Sequence, residues 1–374
     1  MLWASSVAVV ARPAAATLRS AAGGRGSAAQ QAPVSGPVTT RPAPFNCHRL
    51  LQIPNTSPTC TGQRLPRHHY PLAYEWDDKL ELRGHDRCVC SLALLSGGRL
   101  ASGDLSGIVR LWDTAHGGKA TAVLGGHGGV VYALAALRDG RRLAAGVCAG
   151  EGGEIVVWDT GVVPPTRCAT IDCGSGVWAL AILRDGRLAA GCYDGGVRLV
   201  EVGVDTGAVT VTLKGHTGIV AALAVLPGGT LASGSADKTV RLWDVGARGC
   251  VATLVGHSNR VRALVVLRDG RLASASEDNS VRLWDVATRV CVDEGYNYWV
   301  RTLAALSDGR LASGSGDNTI QVWDTADTCT AAAVAAVAVL KGHTDSINAL
   351  QVLPGSRLAS GSSDGKVRLW RLPP

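Results

Sequence analysis

One unit written seven times constrains this chain more than any other feature. A regular repeat of this length must be a supersecondary element that buries its apolar face against its own copies. The reference copy is GHTGIVAALAVLPGGTLASGSADKTVRLWD, residues 215–244. Close copies start at Gly84, Gly256 and Gly342, and weaker ones at Gly126, Asp172 and Gly295. The closing positions are Trp112, Trp158, Val200, Trp243, Trp284, Trp323 and Trp370, spaced by 46, 42, 43, 41, 39 and 47 residues.

Each copy reads as short strands separated by tight turns. An apolar run such as VAALAVL is followed by a turn, then TLASGS, a second turn, and TVRLWD. The first turn carries Asp-Gly at 139–140, 185–186, 269–270 and 308–309, or Gly-Gly at 97–98 and 228–229. Those pairs predict two-residue hairpins, which need positive φ. The second turn opens on Asp194, Asp237, Asp278, Asp317 or Asp364. Helical spacing of apolar residues is not sustained in this region. Four-stranded sheets repeating every 40–45 residues or so are the signature of an all-β propeller.

The GH near the start of each unit and the WD at its end resemble the WD40-repeat family over roughly residues 78–374. That resemblance implies a seven-bladed β-propeller over residues 75–374, with residues 1–74 as a separate arm. The last unit ends on its third strand, so Asp78–Arg83 is expected to supply the outer strand of the last blade and close the ring.

The resemblance also implies a buried Trp-Ser-His-Asp network within a unit. The complete sets are Trp243, Ser233, His216 and Asp237; Trp284, Ser274, His257 and Asp278; and Trp370, Ser360, His343 and Asp364. An indole N–H donating to a hydroxyl, the hydroxyl to an imidazole and the imidazole to a carboxylate satisfies every polar atom. A Ser-His-Asp hydrolase needs one site. Three sets in one chain argue for structure, and no enzyme activity is expected. Unit one has Ser106 where the Asp belongs, unit two has Ala145 for Ser, and unit six has Tyr296 for His. Unit three replaces Trp, His and Ser with Val200, Cys173 and Ala190, so units two and three should be the least reinforced.

Charge narrows the partner class. Residues 1–74 hold seven Arg and no acid, which accounts for the whole net charge of +7 and leaves the repeats neutral. A neutral body gives no electrostatic support for general nucleic-acid binding. The arm, rich in Ala, Ser, Gly, Pro and Arg, reads as disordered, and its acid-free composition is also that of an organelle transit peptide. Without an import signal, the cytoplasm or nucleus is expected. No apolar run is long enough to span a membrane. Eleven cysteines without a CxxC pair read as reduced core thiols, and no motif calls for a metal or cofactor. His68-His69 in the arm reads as a solvated pair.

A partner would sit around the central channel. By the resemblance, the rim positions one residue into each inner strand are Cys90, Tyr132, Trp178, Ala221, Arg262, Arg301 and Asn348. Arg260 and Trp299 lie two residues earlier in their units, and Tyr193 and Glu277 precede the turn Asp. Arginine with aromatics is the composition of interface hot spots. Arg262 and Arg301 resemble the paired arginines with which some F-box WD40 adaptors read phosphorylated peptides, although Glu277 stands where those adaptors place a further Arg. The chain therefore reads as a monomeric scaffold or substrate adaptor within a larger complex, binding an acidic or phosphorylated peptide or protein. Ubiquitin-dependent turnover is one setting, since ubiquitin-binding propellers of the phospholipase A2-activating protein type share this plan. The alternative is an RNA- or chromatin-associated subunit.

Overall fold

The computed structural model describes residues 72–75, 81–116, 118–150, 152–203, 206–288, 291–295, 299–325 and 336–372. All belong to one compact unit within Tyr70–Pro374. The arm up to residue 71, including His68-His69, and Tyr296 lie outside the described residues.

Seven sheets follow one another along the chain, each built on an antiparallel meander of consecutive strands, to which blades 6 and 7 add a strand from residues 72–82. The first blade runs Val89–Leu94, Arg99–Asp104, Val109–Asp113 and Lys119–Leu124 from its inner to its outer strand. Blade 4 repeats it with Val220–Val225, Leu231–Ser235, Val240–Asp244 and Gly249–Leu254. The apolar inner and second strands are buried on both faces, because each sheet packs between two others.

Neighbouring blades share one apolar core per interface. Leu223, Leu231 and Trp243 of blade 4 pack against Leu199 and Leu213 of blade 3. The same arrangement joins blade 7 to blade 1, where Trp112 packs against Leu82, Leu353 and Leu369. Close approach explains the LASGS pattern of the second strand. A Cβ on Gly234 would sit 2.6 Å from Val261 Cγ1 of blade 5, and one on Gly361 would sit 2.6 Å from Val89 Cγ1 of blade 1. At these two positions glycine lets the next inner strand lie that near, while blade 5 carries the small Ala275 at the equivalent place.

The turns differ from the sequence expectation. Leu183 N–H donates to Arg187 O and Gly186 N–H to Leu183 O, which encloses three residues rather than two. Gly229, Gly270 and Gly309 close similar three-residue loops, at φ of 90°, 91° and 100°. A type I turn followed by one left-handed residue needs a single positive φ, so the preceding residue (Asp185, Gly228, Asp269 or Asp308) needs none, and in three of the four loops it is an Asp. Its carboxylate instead accepts a backbone N–H two residues on, as Asp185 does from Arg187.

Ring closure follows the expected splice. Glu81–Leu82 pairs antiparallel with the last strand, Val367–Arg371, as Glu81↔Arg368 and Leu82↔Val367. The Glu81 carboxylate, 1% exposed, meets Arg368 at 3.1 Å, Arg83 at 2.8 Å and Lys366 at 3.4 Å. The expected arm boundary after residue 74 cuts through a strand: Leu72–Glu75 pairs parallel with the outer strand of blade 6, Ala336–Lys341, and gives that blade a fifth strand.

Arginines clasp adjacent blades at the opposite end from the second turns. Arg99 of blade 1 donates to Thr160 O of blade 2 at 2.8 Å, and Arg142 of blade 2 to Gly203 O of blade 3. Arg271 of blade 5 reaches Thr325 O of blade 6 at 2.7 Å, and Arg357 of blade 7 reaches Thr114 O of blade 1 at 3.2 Å across the seam. No helix among the described residues is long and apolar enough to cross a membrane.

Candidate functional site

Two sets of residues were candidates for function: the repeated Ser-His-Asp networks and the channel rim. The networks are internal. In blade 4, Trp243 Nε1–H donates to Ser233 Oγ at 2.7 Å, Ser233 Oγ lies 2.7 Å from His216 Nε2, and His216 Nδ1 lies 2.7 Å from Asp237 Oδ2. Blade 5 repeats this through Trp284, Ser274, His257 and Asp278, and blade 7 through Trp370, Ser360, His343 and Asp364. With Nδ1 donating to the carboxylate, Nε2 accepts the serine proton. Ser233, Ser274 and Ser360 are completely buried, so no substrate carbonyl reaches any of these hydroxyls.

Burial and neighbouring donors set the charges. Burial pushes the Asp364 carboxyl up, but hydrogen bonds, chiefly from His343, outweigh it and hold the group at about 2. Asp278 is likewise held at about 2 against burial by Ser280, Ser258 and His257, and Asp237 lies well below the usual carboxylate range. Burial lowers His343, which keeps its imidazole neutral at physiological pH although Asp364 pulls the other way.

Two departures read from the sequence are corrected. Blade 1 has a complete network, because Asp104 replaces the turn Asp: its Oδ2 lies 2.6 Å from His85 Nδ1, and Ser102 bridges His85 to Trp112. Ser106 instead donates to Asp104 Oδ1. Asp104 stands two residues earlier than in the other blades, at the strand end, where its side chain points at the same histidine. Blade 2 also repairs its loss: with Ala145 lacking a hydroxyl, Trp158 Nε1–H donates directly to His127 Nε2 at 3.0 Å. His127 Nδ1 then reaches Gly107 O of blade 1 at 2.7 Å. Blade 3 exchanges its network for apolar packing, with Cys173, Ala190 and Val200 buried in one cluster with Leu180, Leu188 and Ile155.

The rim is built by a repeated backbone irregularity. In every blade the ladder between the inner and second strands slips by one residue, at Cys90, Tyr132, Trp178, Ala221, Arg262, Arg301 and Asn348. A bulge leaves one residue unpaired and re-aims its side chain. All seven rim positions are these bulge residues.

Those side chains largely fill the channel mouth rather than present themselves. Tyr132 and Trp178 are buried and stacked, with ring centroids 4.2 Å apart at 16°, and they pack with Cys90. Burial pushes the Tyr132 phenol up to about 12. Arg262 is buried too, and its Nε donates to Glu277 Oε1 at 2.8 Å. Arg301 Nη1 donates to Asn348 Oδ1 at 3.1 Å, and Asn348 Nδ2 donates onward to Ser363 Oγ and Val89 O. Tyr132, Trp178, Arg262 and Asn348 are therefore largely buried, packed against one another and against neighbouring residues of the mouth such as Glu277 and Ser363.

The accessible layer lies above them. Trp299 and Tyr193 are each 52% exposed. Tyr193 tilts over Trp178 at 6.4 Å. Arg260 is partly exposed and lies 3.9 Å from Glu277, the carboxylate it shares with Arg262. Burial lowers Arg301, with Arg262 adding like-charge repulsion. Three arginines thus face one glutamate across blades 5 and 6. No group of three or more His, Cys, Asp or Glu that could hold a metal lies among the described residues.

The family model described as WD domain, G-beta repeat matches residues 76–113, 118–159, 166–201, 207–244, 248–285, 288–324 and 335–371. No curated protein matches the chain. Among solved structures, the WD40 β-propeller domain of Doa1 is similar at 24% identity, covering 78% of this chain and 95% of that one with a TM-score of 0.68. At that identity the likeness shows a shared fold.

Proposed function

Since the chain belongs to the WD domain, G-beta repeat family, a fold typical of protein-interaction scaffolds, we propose that it is a non-catalytic scaffold or substrate adaptor. Its docking surface is the end of the ring that carries the bulges. The observation that carries this reading is the exposure of Tyr193 over blade 3 and of Trp299 at blade 6, with a net-positive cluster of Arg260, Arg262, Arg301 and Glu277 on blades 5 and 6. Aromatic and Arg side chains supply large contact area and directional donors, the usual content of interface hot spots.

The charge selects an acidic or phosphorylated segment of a protein or peptide. Arg262 is neutralised by Glu277 and serves as a support, so Arg260 and Arg301 are the arginines that meet the partner. Planar guanidinium groups suit carboxylate or phosphate in bidentate contact. The resemblance to adaptor propellers makes ubiquitin-dependent turnover in the cytoplasm or nucleus the setting this reading favours.

Affinity purification from cells, followed by mass spectrometry, tests it. The full-length chain should retain a specific protein set that the Tyr193→Ala/Trp299→Ala and Arg260→Ala/Arg301→Ala variants lose. Phosphatase treatment of the partner should mimic the arginine pair if phosphate is the ligand. Retention of that set by both folded variants would move the docking surface elsewhere.

A further inference from the structure

Blade 6 carries a strand that the propeller plan does not call for. The other six sheets end, among the described residues, at their fourth strand, whereas blade 6 has five. Its fifth strand, Leu72–Glu75, runs parallel to the fourth, unlike every other pairing in the ring, which is antiparallel. A meander does not generate a parallel neighbour at its edge, so this strand is an addition to a finished sheet rather than part of the blade.

The pairing is a regular ladder: Leu72↔Ala338, Ala73↔Val339, Tyr74↔Leu340 and Glu75↔Lys341. The acceptor edge is apolar and β-prone, AVAVLK, with a single charge at its end, and Val337 is 41% exposed. An edge of this kind is a template for any extended chain of matching pattern, and proteins commonly cover such edges. Covering it is not needed for closure, because Glu81–Leu82 closes blade 7 independently, after five intervening residues.

We propose that the outer edge of blade 6 is a strand-acceptor site, held in cis by residues 72–75, which binds an extended segment of a partner protein by β-addition. The recognised pattern is that of the occupant: apolar, small, aromatic, acidic, with the acidic residue in register with Lys341. Backbone hydrogen bonds supply affinity in this mode, and alternate side chains supply specificity. The site lies on the ring's circumference and is independent of the docking surface at the bulge-bearing end.

The test uses the full-length chain with Ala73→Pro and Tyr74→Pro, which removes two backbone donors from the cis strand without touching the ring. A labelled synthetic peptide of residues 69–79 is titrated into this variant and into the wild type, read by fluorescence anisotropy. The released variant should bind the peptide. The wild type should bind about tenfold more weakly because its own strand competes, and a peptide carrying the same two prolines should lose about tenfold in the released variant. Amide exchange at Ala336–Lys341 should speed up in the released variant and slow again with peptide. Equal exchange in the two proteins, or no peptide binding by a released variant whose circular dichroism and melting match wild type, overturns the proposal. Dimerisation of the variant that the peptide does not reverse overturns it as well, since the edge would then serve a second copy.

Discussion

At the residue scale, each Trp-Ser-His-Asp network turns four polar side chains into a buried, mutually satisfied strut. Ser233→Ala or His257→Ala removes one member and strands its neighbours, so each should lower unfolding free energy by roughly 1–3 kcal/mol in a denaturant titration. Asp104→Ala should cost a similar amount in blade 1, while Ser106→Ala costs less. Partner retention by folded protein should stay at the wild-type level. A catalytic role would give the opposite result, with activity lost and stability kept.

The same networks set an acid limit. Asp278 and Asp364 titrate at about 2 in the folded chain, and Asp104 and Asp237 are also lowered. In the unfolded chain such groups titrate near 4 or so. The unfolded state therefore binds more protons between those values, and the stabilisation present above pH 4 or so is lost as pH falls. His343, lowered from 6.5, acts in the same sense at higher pH, because its proton binds preferentially to the unfolded chain. Melting temperature should thus hold above about pH 7, decline modestly below about 6.5 and fall steeply below about 4. A melting temperature that rises between pH 7 and 5 would contradict this.

At the element scale, hairpins and bulges were unequally legible in the sequence. Asp-Gly and Gly-Gly pairs placed the first turns of six units but suggested two-residue loops, because the pair alone does not show which residue takes the left-handed φ. The tetrads of blades 4, 5 and 7 were fully legible. That of blade 1 was missed because its carboxylate moved two positions along the strand, where register and not spacing decides what it touches. Rim positions were legible but their burial was not, since it depends on seven side chains meeting at one axis. The inter-blade arginines were missed although their signal was present: an Arg opens the second strand at Arg99, Arg271 and Arg357 in the same place. Arg357→Ala should lower stability by about 1–3 kcal/mol in a thermal or chemical melt, since Thr114 O loses a charged donor across the seam. Arg187→Ala, whose hydrogen bonds stay within its own turn at Asp185, should fall within about 0.5 kcal/mol of wild type.

For the whole molecule, the repeat count fixed the architecture, because seven near-equal units leave an open edge unless the ends pair. Deleting residues 1–70 should leave the melting temperature unchanged, since the closing strand and the blade 6 addition both remain. Deleting through Arg83 removes Glu81 and Leu82 and leaves Arg368 buried without its carboxylate. That protein should melt well below wild type or aggregate during purification. Equal melting of the two truncations would show that the seam does not hold the ring.

The seam also has a direction. Glu81–Leu82 and Val367–Arg371 run antiparallel, with Glu81 opposite Arg368 and Leu82 opposite Val367, so both tails leave from the same end of the pair. A force applied between the two tails loads the closing hydrogen bonds one after another, as a zipper is opened, and not together as in shear. The joint that resists thermal opening through Glu81 and Arg368 is therefore the mechanically weak point of the ring. A machine that draws the chain in by its termini would first peel Leu72–Glu75 from the outer strand of blade 6 and then open the propeller at this seam.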